Sequence, residues 1–123
     1  MTGTGQASGL DVETTREVLA DLLAERYAQH AIWGDQSRLP DGTGGEARAA
    51  RADRARADCQ AAGDGLTFRH LVEEEICEAY AETEPEALCG ELRQAGALIV
   101  QWMAAIRRRA AVGGPAAGTG AHQ

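Results

Sequence analysis

The amino-acid sequence predicts an all-α protein, a bundle of four to five helices. Apolar residues recur three or four positions apart in several segments, and glycine-rich stretches separate these segments. Alanine is abundant, aromatic residues are few and the chain has only 3 prolines, a composition that favours helix. A length of 123 residues suits one domain. We expect a disordered N-terminal segment at residues 1–10, a single all-α domain at 11–110 and a flexible Gly/Ala/Pro tail at 111–123.

The charge balance and the cysteines limit the classes of function. The net charge is −7 and lysine is absent, which argues against binding to a nucleic-acid polymer but not against a small phosphorylated ligand held through a metal. The 3 cysteines show no CxxC spacing, so a disulfide framework or a zinc site is not expected. No apolar run reaches membrane-spanning length and no apolar signal segment is apparent. We therefore expect a cytoplasmic protein with no membrane partner.

The first helix is expected to begin between Asp11 and Thr14, where Thr14 and Glu17 fit a capping box. One face of this helix combines leucines with polar and aromatic residues: Leu19, Leu22, Leu23, Arg26, His30 and Trp33. Arg26 and His30 have two interpretations. They either lie at the edge of the apolar face with their polar ends in water, or they contact an acidic site or a phosphate.

A glycine-rich loop and an arginine-rich helix come next. The loop at residues 34–45 is long for a plain connector, and such loops often line or cover a site. It is not a P-loop, because the chain has neither the GxxxxGK[ST] pattern nor a lysine. The helix predicted at residues 46–62 carries arginines three positions apart, at Arg48, Arg51 and Arg54. We interpret them as a solvated face with local ion pairs, with phosphate binding as the alternative.

The helix predicted at residues 71–82 carries more carboxylates than a core-facing helix tolerates. A rotation of about 100° per residue places several side chains within roughly 60° of each other, beside the apolar stripe: Leu71, Glu75, Glu78 and Glu82. Glu73 points away to solvent and Glu74 lies between the two directions. Because like charges at this spacing repel, the pattern indicates either a solvated acidic edge or a divalent-cation site.

The last helix is expected at residues 86–109, and Glu91 lies near the middle of its apolar face. The side chains on that side are Gln94, Ala95, Leu98, Trp102 and Ala105. A carboxylate in such a place needs a metal, an arginine or histidine partner, or a proton. A short turn joins this helix to the acidic one. An antiparallel hairpin would then bring Glu75 and Glu78 opposite Glu91 and Gln94, as ExxE facing ExxQ.

The two acidic segments together resemble the MazG-like all-α nucleoside triphosphate pyrophosphohydrolases. The pattern of that family is EExxE, a spacer and ExxD; here the segments are Glu74–Glu78 and Glu91–Gln94. The stretch Trp33–Gln36 is similar to a tryptophan–glutamine segment of many small members, and Leu98–Arg108 is similar to their ending. The resemblance covers residues 25–109, roughly.

The resemblance implies a MazG-like bundle completed as a homodimer or homotetramer. It also implies Mg²⁺-dependent cleavage, with Mn²⁺ possible, between the α and β phosphates of an NTP or dNTP to give the monophosphate and pyrophosphate. By position, the implied metal ligands are Glu75, Glu78, Glu91 and Gln94. Glu74 would be the catalytic group, as a further ligand or by orienting water. The implied nucleotide contacts are Arg26, His30, Trp33 and Gln36.

Gln94 departs from the family pattern, which has aspartate at this position. A glutamine carbonyl can ligate a hard cation but brings no charge and cannot act as a base, so we expect a weakened metal site. The alternative function is therefore a degenerate MazG-like domain that binds a nucleotide or a partner protein without hydrolysis. An unrelated di-iron bundle ranks last, because that class needs ExxH on two helices and neither acidic segment has it.

Overall fold

Four α-helices account for most of the described chain. The computed structural model describes residues 9–121, with side chains as far as residue 113. The helices are α1 (Val12–Trp33), α2 (Glu46–Ala62), α3 (Phe68–Ala81) and α4 (Pro85–Ala121), and a short 3-10 turn follows α2 at Gly63–Gly65. No strand occurs within this part of the chain. The predicted all-α class is confirmed, with four helices.

Asp11 starts α1, whereas the sequence predicted a capping box at Thr14 and Glu17. One carboxylate oxygen of Asp11 accepts a hydrogen bond from the backbone N–H of Thr14 at 3.0 Å, and the other accepts one from the Thr14 hydroxyl at 2.6 Å. The first turn of a helix leaves its N–H groups without partners, and a short acidic side chain just before it satisfies one. The prediction of Thr14 as the cap was wrong, because Thr14 lies inside the first turn.

The end of α4 also differs from the expectation. A flexible tail was predicted from residue 111, but the helix continues through Ala121. Helix propensity does not account for this extension, because residues 111–121 include four glycines and one proline, which disfavour a helix interior. A disordered segment was predicted at residues 1–10, and residues 1–8 of it lie outside the described residues.

The described chain divides into two compact units, where the sequence predicted one domain at residues 11–110. One unit comprises the residues up to Ser37 and those from Val100 onward, and the other comprises Arg38–Ile99. The division falls within α4, which contributes residues to both units.

In the first unit, arginines of α4 pair with carboxylates of α1. The Arg107 guanidinium contacts Glu17 at 3.7 Å and donates a hydrogen bond to Asp21, and Arg108 lies 3.6 Å from Asp11. Val18 of α1 is fully buried. The carboxylates of α1 are therefore the counter-charges of these arginines.

In the second unit, α2 packs on α3 through small side chains. The buried cluster joins Ala52 and Ala55 of α2 to Cys77 of α3, with Ala81 packed against it. Small residues bring two helix backbones close together and leave little side-chain volume between them. Polar groups on either side of this contact can therefore reach across it.

The loop before α2 is fastened to the end of α3. The Gly44 N–H donates to the Tyr80 carbonyl at 2.8 Å, and the Thr43 hydroxyl donates to the Glu82 carbonyl at 2.5 Å. Gly44 has φ +100°, and a Cβ there would lie 2.5 Å from the Thr83 methyl group. Only glycine meets both conditions without strain.

None of the helices in the described residues combines the length and the apolar character needed to cross a lipid bilayer.

Candidate metal centre

Three glutamates from two helices meet in the second unit. Glu75 and Glu78 lie one turn apart on α3, and Glu91 comes from α4. One carboxylate oxygen from each lies within 4.8 Å of the others, and all three residues are half-buried. Glu91 lies between Leu88 and Ala95, both buried, so the apolar face of α4 carries this carboxylate inward.

The start of α3 is held by a capping box at Thr67. The Thr67 hydroxyl accepts from the backbone N–H of His70, and the His70 ring accepts from the backbone N–H of Thr67. Cys77 and Ala79 are both buried but lie on nearly opposite sides of α3, about 200° apart, so the helix is covered on two sides. Glu75 and Glu78 lie between these two buried positions, at about 160° and about 100° from Cys77.

The three consecutive glutamates point in different directions, as the rotation of about 100° per residue predicted. Glu73 is exposed and lies 3.2 Å from Arg69, one turn away on the same helix. Glu74 is half-buried, beside the cluster rather than inside it. Glu75 therefore carries the inward charge of the run.

Two oxygens of the cluster lack the partners that burial demands. Glu75 Oε1 and Glu91 Oε1 are out of contact with solvent and accept no hydrogen bond in the described structure. Ionised carboxylates cannot donate to each other, and an unpaired buried charge is costly. The two groups can satisfy each other only by sharing a proton, or by sharing a cation.

This setting changes the proton affinity of Glu75. Burial is the main reason that its pKa rises from 4.5 to about 7. The nearby charges of Glu78, Glu91 and Glu74 raise this pKa further. A hydrogen bond between protonated Glu75 and Glu91 acts in the same direction. Burial also raises the pKa of Glu78, although a hydrogen bond from Arg56 opposes this rise. A proton or a cation is therefore favoured here at neutral pH.

A divalent cation of the Mg²⁺ type fits this donor set. Such ions prefer carboxylate oxygens, and the two buried oxygens without partners are donors of that kind. The oxygens converge from different helices, so a cation would offset a repulsion that the fold itself creates. Soft metals that need thiolate or imidazole ligands find neither in the cluster.

Arg56 on α2 contacts the outer side of the cluster, which is the Glu78 carboxylate. The sequence interpretation missed this residue. Its guanidinium donates to Glu78 at 3.1 Å and to Asp53 at 3.0 Å, and its Nε lies 3.9 Å from Glu74. The interpretation of α2 considered only Arg48, Arg51 and Arg54. The signal that could have found Arg56 is its place one turn after Ala52, on the small-residue face.

The other predicted site residues lie elsewhere. Gln94 is exposed, so the structure does not bury it with the three glutamates. The predicted nucleotide contacts belong to the other unit, and all are exposed: Arg26, His30, Trp33 and Gln36. The Arg26 guanidinium donates to Gln29 on its own helix at 3.0 Å. Their part in binding stays a prediction.

No protein-family model, curated protein or solved structure matches the chain. The likeness to MazG-like enzymes therefore rests on the residue pattern, and the function has to be argued from the site.

Proposed function

We propose that this protein is a metal-dependent nucleotide pyrophosphohydrolase of the MazG-like type. It would cleave an NTP or dNTP between the α and β phosphates and release the monophosphate and pyrophosphate. The observation that carries the proposal is the convergence of Glu75, Glu78 and Glu91 with two buried, unpartnered oxygens. The EExxE and ExxQ segments that place them match the order of the family pattern.

In this proposal the three converging glutamates hold Mg²⁺ or Mn²⁺. A bound divalent ion neutralises phosphate charge and helps to activate water. Glu74, half-buried next to the cluster, is the group available to orient that water or to act as a further ligand. Gln94 would contribute at most a neutral carbonyl. Nucleotide contacts are proposed for Arg26, His30, Trp33 and Gln36.

Exposed apolar residues on α1 support a homodimer or homotetramer. Leu19, Leu23 and Tyr27 lie on one face of the helix, and each is more than half exposed, at 51%, 57% and 71%. Exposed apolar area of this kind is often an association surface. Sedimentation velocity measures the assembly, and a monomer at micromolar concentration would contradict this part.

Pyrophosphate release tests the activity. A panel of nucleoside triphosphates is incubated with Mg²⁺ or Mn²⁺ and the wild type, Glu75→Gln or Glu78→Gln. We expect metal-dependent release by the wild type and a loss of at least about 10- to 100-fold in either variant, because each change removes a charged ligand and even the outer-shell partners of a ligand contribute that much. Glu73→Gln is the matched control, since it removes an exposed acid from the same helix and should retain activity.

The position of Gln94 favours one alternative, a domain that binds a nucleotide or a partner protein without hydrolysis. Its side chain is exposed and neutral where the family pattern has aspartate. Metal-dependent nucleotide binding without pyrophosphate release from any nucleotide would select this alternative. Release that requires metal, Glu75 and Glu78 would exclude it.

A further inference from the structure

Arg56 is the cation that the fold itself brings to the acidic cluster. It projects from α2, the helix that packs on α3, and its guanidinium contacts Glu78 at 3.1 Å and Glu74 at 3.9 Å. Asp53, one turn earlier on α2, accepts from the same guanidinium at 3.0 Å and helps to fix its orientation. A planar guanidinium with several donors can keep one contact while it changes another.

Arg56 does not satisfy the interior of the cluster. Its contact is with Oε2 of Glu78, whereas the oxygens without partners are Oε1 of Glu75 and Oε1 of Glu91. One guanidinium among four glutamates (Glu74, Glu75, Glu78 and Glu91) leaves an excess of negative charge. The outer side of the cluster, the Glu78 carboxylate, therefore has a cation as its partner. The inner side, the Oε1 atoms of Glu75 and Glu91, has no such partner among the described residues.

A cavity of about 330 Å³ opens beside this outer side. Four carboxylates line it, those of Asp53, Glu78, Glu82 and Glu91, together with Arg56. Ala49 and Ala52 of α2 and Ala81 of α3 also line it, and their small side chains leave the space free. Among the residues that line this cavity, Arg56 carries the positive charge. An anionic ligand entering here would meet carboxylates unless a cation shields them, and phosphate oxygens pair well with the guanidinium fork.

We propose that Arg56 binds a phosphate group of the substrate, and that in the metal-free protein the same guanidinium holds Glu78 and Glu74 as a substitute counter-cation. The ligand class is a polyphosphate, and the inference rests on the proposed nucleotide function. A metal at the three glutamates and Arg56 are both positive, so metal binding weakens the hold of Arg56 on Glu78. The guanidinium is then released toward the phosphate.

Two affinities that do not depend on turnover test this role. The first is the affinity of the full-length, substrate-free protein for Mn²⁺, measured from the electron paramagnetic resonance of free Mn²⁺. Arg56→Gln should bind Mn²⁺ about 3- to 10-fold more tightly, because the competing positive charge is gone. The second is the affinity for a non-hydrolysable triphosphate analogue at saturating Mn²⁺, which should fall about tenfold or more.

Two further variants test whether the effects depend on the guanidinium group and on its position at residue 56. Arg56→Lys keeps the charge but loses the fork, so its analogue affinity should lie between those of the wild type and Arg56→Gln. Arg54→Gln removes the same charge from an exposed position on α2. Both affinities of Arg54→Gln should stay within about twofold of the wild type, because the ion pairs with Glu74 and Glu78 are made by Arg56 and a solvated charge farther from the cluster is screened. Circular dichroism checks that every variant is folded.

Opposite changes in the two affinities support the inference. Unchanged Mn²⁺ affinity and unchanged analogue affinity in Arg56→Gln overturn it, even if pyrophosphate release is normal. Equal effects in Arg54→Gln also overturn it, since they would indicate a general charge effect. If the wild type releases no pyrophosphate but both affinities change as expected, the hydrolase proposal fails while the role of Arg56 stands. A wild type that binds neither Mn²⁺ nor the analogue contradicts both proposals.

Discussion

At the scale of single residues, a proton and a divalent cation compete for the same place beside Glu75. The Oε1 atoms of Glu75 and Glu91 are buried without partners, and burial raises the pKa of Glu75 to about 7. In the metal-free protein at neutral pH, part of the population therefore carries an unpaired buried charge. This charge opposes folding, and either a proton or a metal relieves it.

The resulting pH dependence can be worked out for the metal-free protein. The pKa of Glu75 is about 7 when folded and near 4.5 when unfolded, so between these values the folded state binds more protons. The free energy of unfolding should then fall as pH rises from about 4.5 to 7. Compared with Glu75→Gln, the wild type should lose ~1–3 kcal/mol over this range. Urea denaturation in EDTA at several pH values measures the difference.

The same titration with Glu73→Gln provides the control for that prediction. Glu73 is exposed and paired within its own helix, so its removal should leave the slope of stability against pH unchanged. A wild type whose stability runs parallel to that of Glu75→Gln from pH 4.5 to 7 would show that Glu75 is not in the buried setting described.

At the scale of elements, the loop before α2 depends on Gly44. Its N–H bonds to the end of α3, its φ is +100°, and a Cβ would lie 2.5 Å from the Thr83 methyl group. Gly44→Ala should therefore lower the free energy of unfolding by about 2–4 kcal/mol, from backbone strain and the clash together. Urea denaturation at constant pH measures this loss.

Two comparisons separate the causes of that loss. Gly42→Ala places an alanine at a positive φ of +72° with open space around it, so it should show the backbone strain alone, about 1 kcal/mol. Adding Thr83→Ser to Gly44→Ala removes the methyl group and should recover the steric part. Equal losses in Gly42→Ala and Gly44→Ala would show that the contact with Thr83 is not tight.

At the scale of the whole molecule, helical periodicity predicts most of the fold. Together with the helix-start and glycine signals it places all four helices. The leucine face predicted on α1 is nevertheless exposed at Leu19 and Leu23, and Val18 is buried instead. Helical periodicity also brings Glu75, Glu78 and Glu91 to inward or bordering positions, since a carboxylate between Leu88 and Ala95 has to point inward. The division into two units was not predicted, because it depends on tertiary contacts that the periodicity of single helices does not describe.

Arg56 shows what a local pattern leaves out. Its neighbours Arg48, Arg51 and Arg54 form an obvious three-residue spacing, which drew attention to the solvent side of α2. The contact of Arg56 with Glu78 joins positions 22 residues apart and depends on α2 packing against α3 through alanines. Pairings across helices follow from tertiary packing, and one helix wheel cannot supply them.

Metal binding should stabilise the folded chain, because a cation would give the buried oxygens of Glu75 and Glu91 the partner that they lack. A ligand that binds only the folded state adds RT ln(1 + [L]/Kd) to the free energy of unfolding, about 2.7 kcal/mol at a concentration of 100 times Kd. Mn²⁺ or Mg²⁺ should raise the thermal midpoint of the wild type, and EDTA should reverse the rise. Glu91→Gln should abolish it, because that change removes one of the two buried oxygens without partners while keeping the shape of the side chain. Differential scanning calorimetry with each metal measures the midpoint. A rise of the same size in Glu91→Gln would mean that the ions act elsewhere on this acidic chain and that the three-glutamate cluster is not their site.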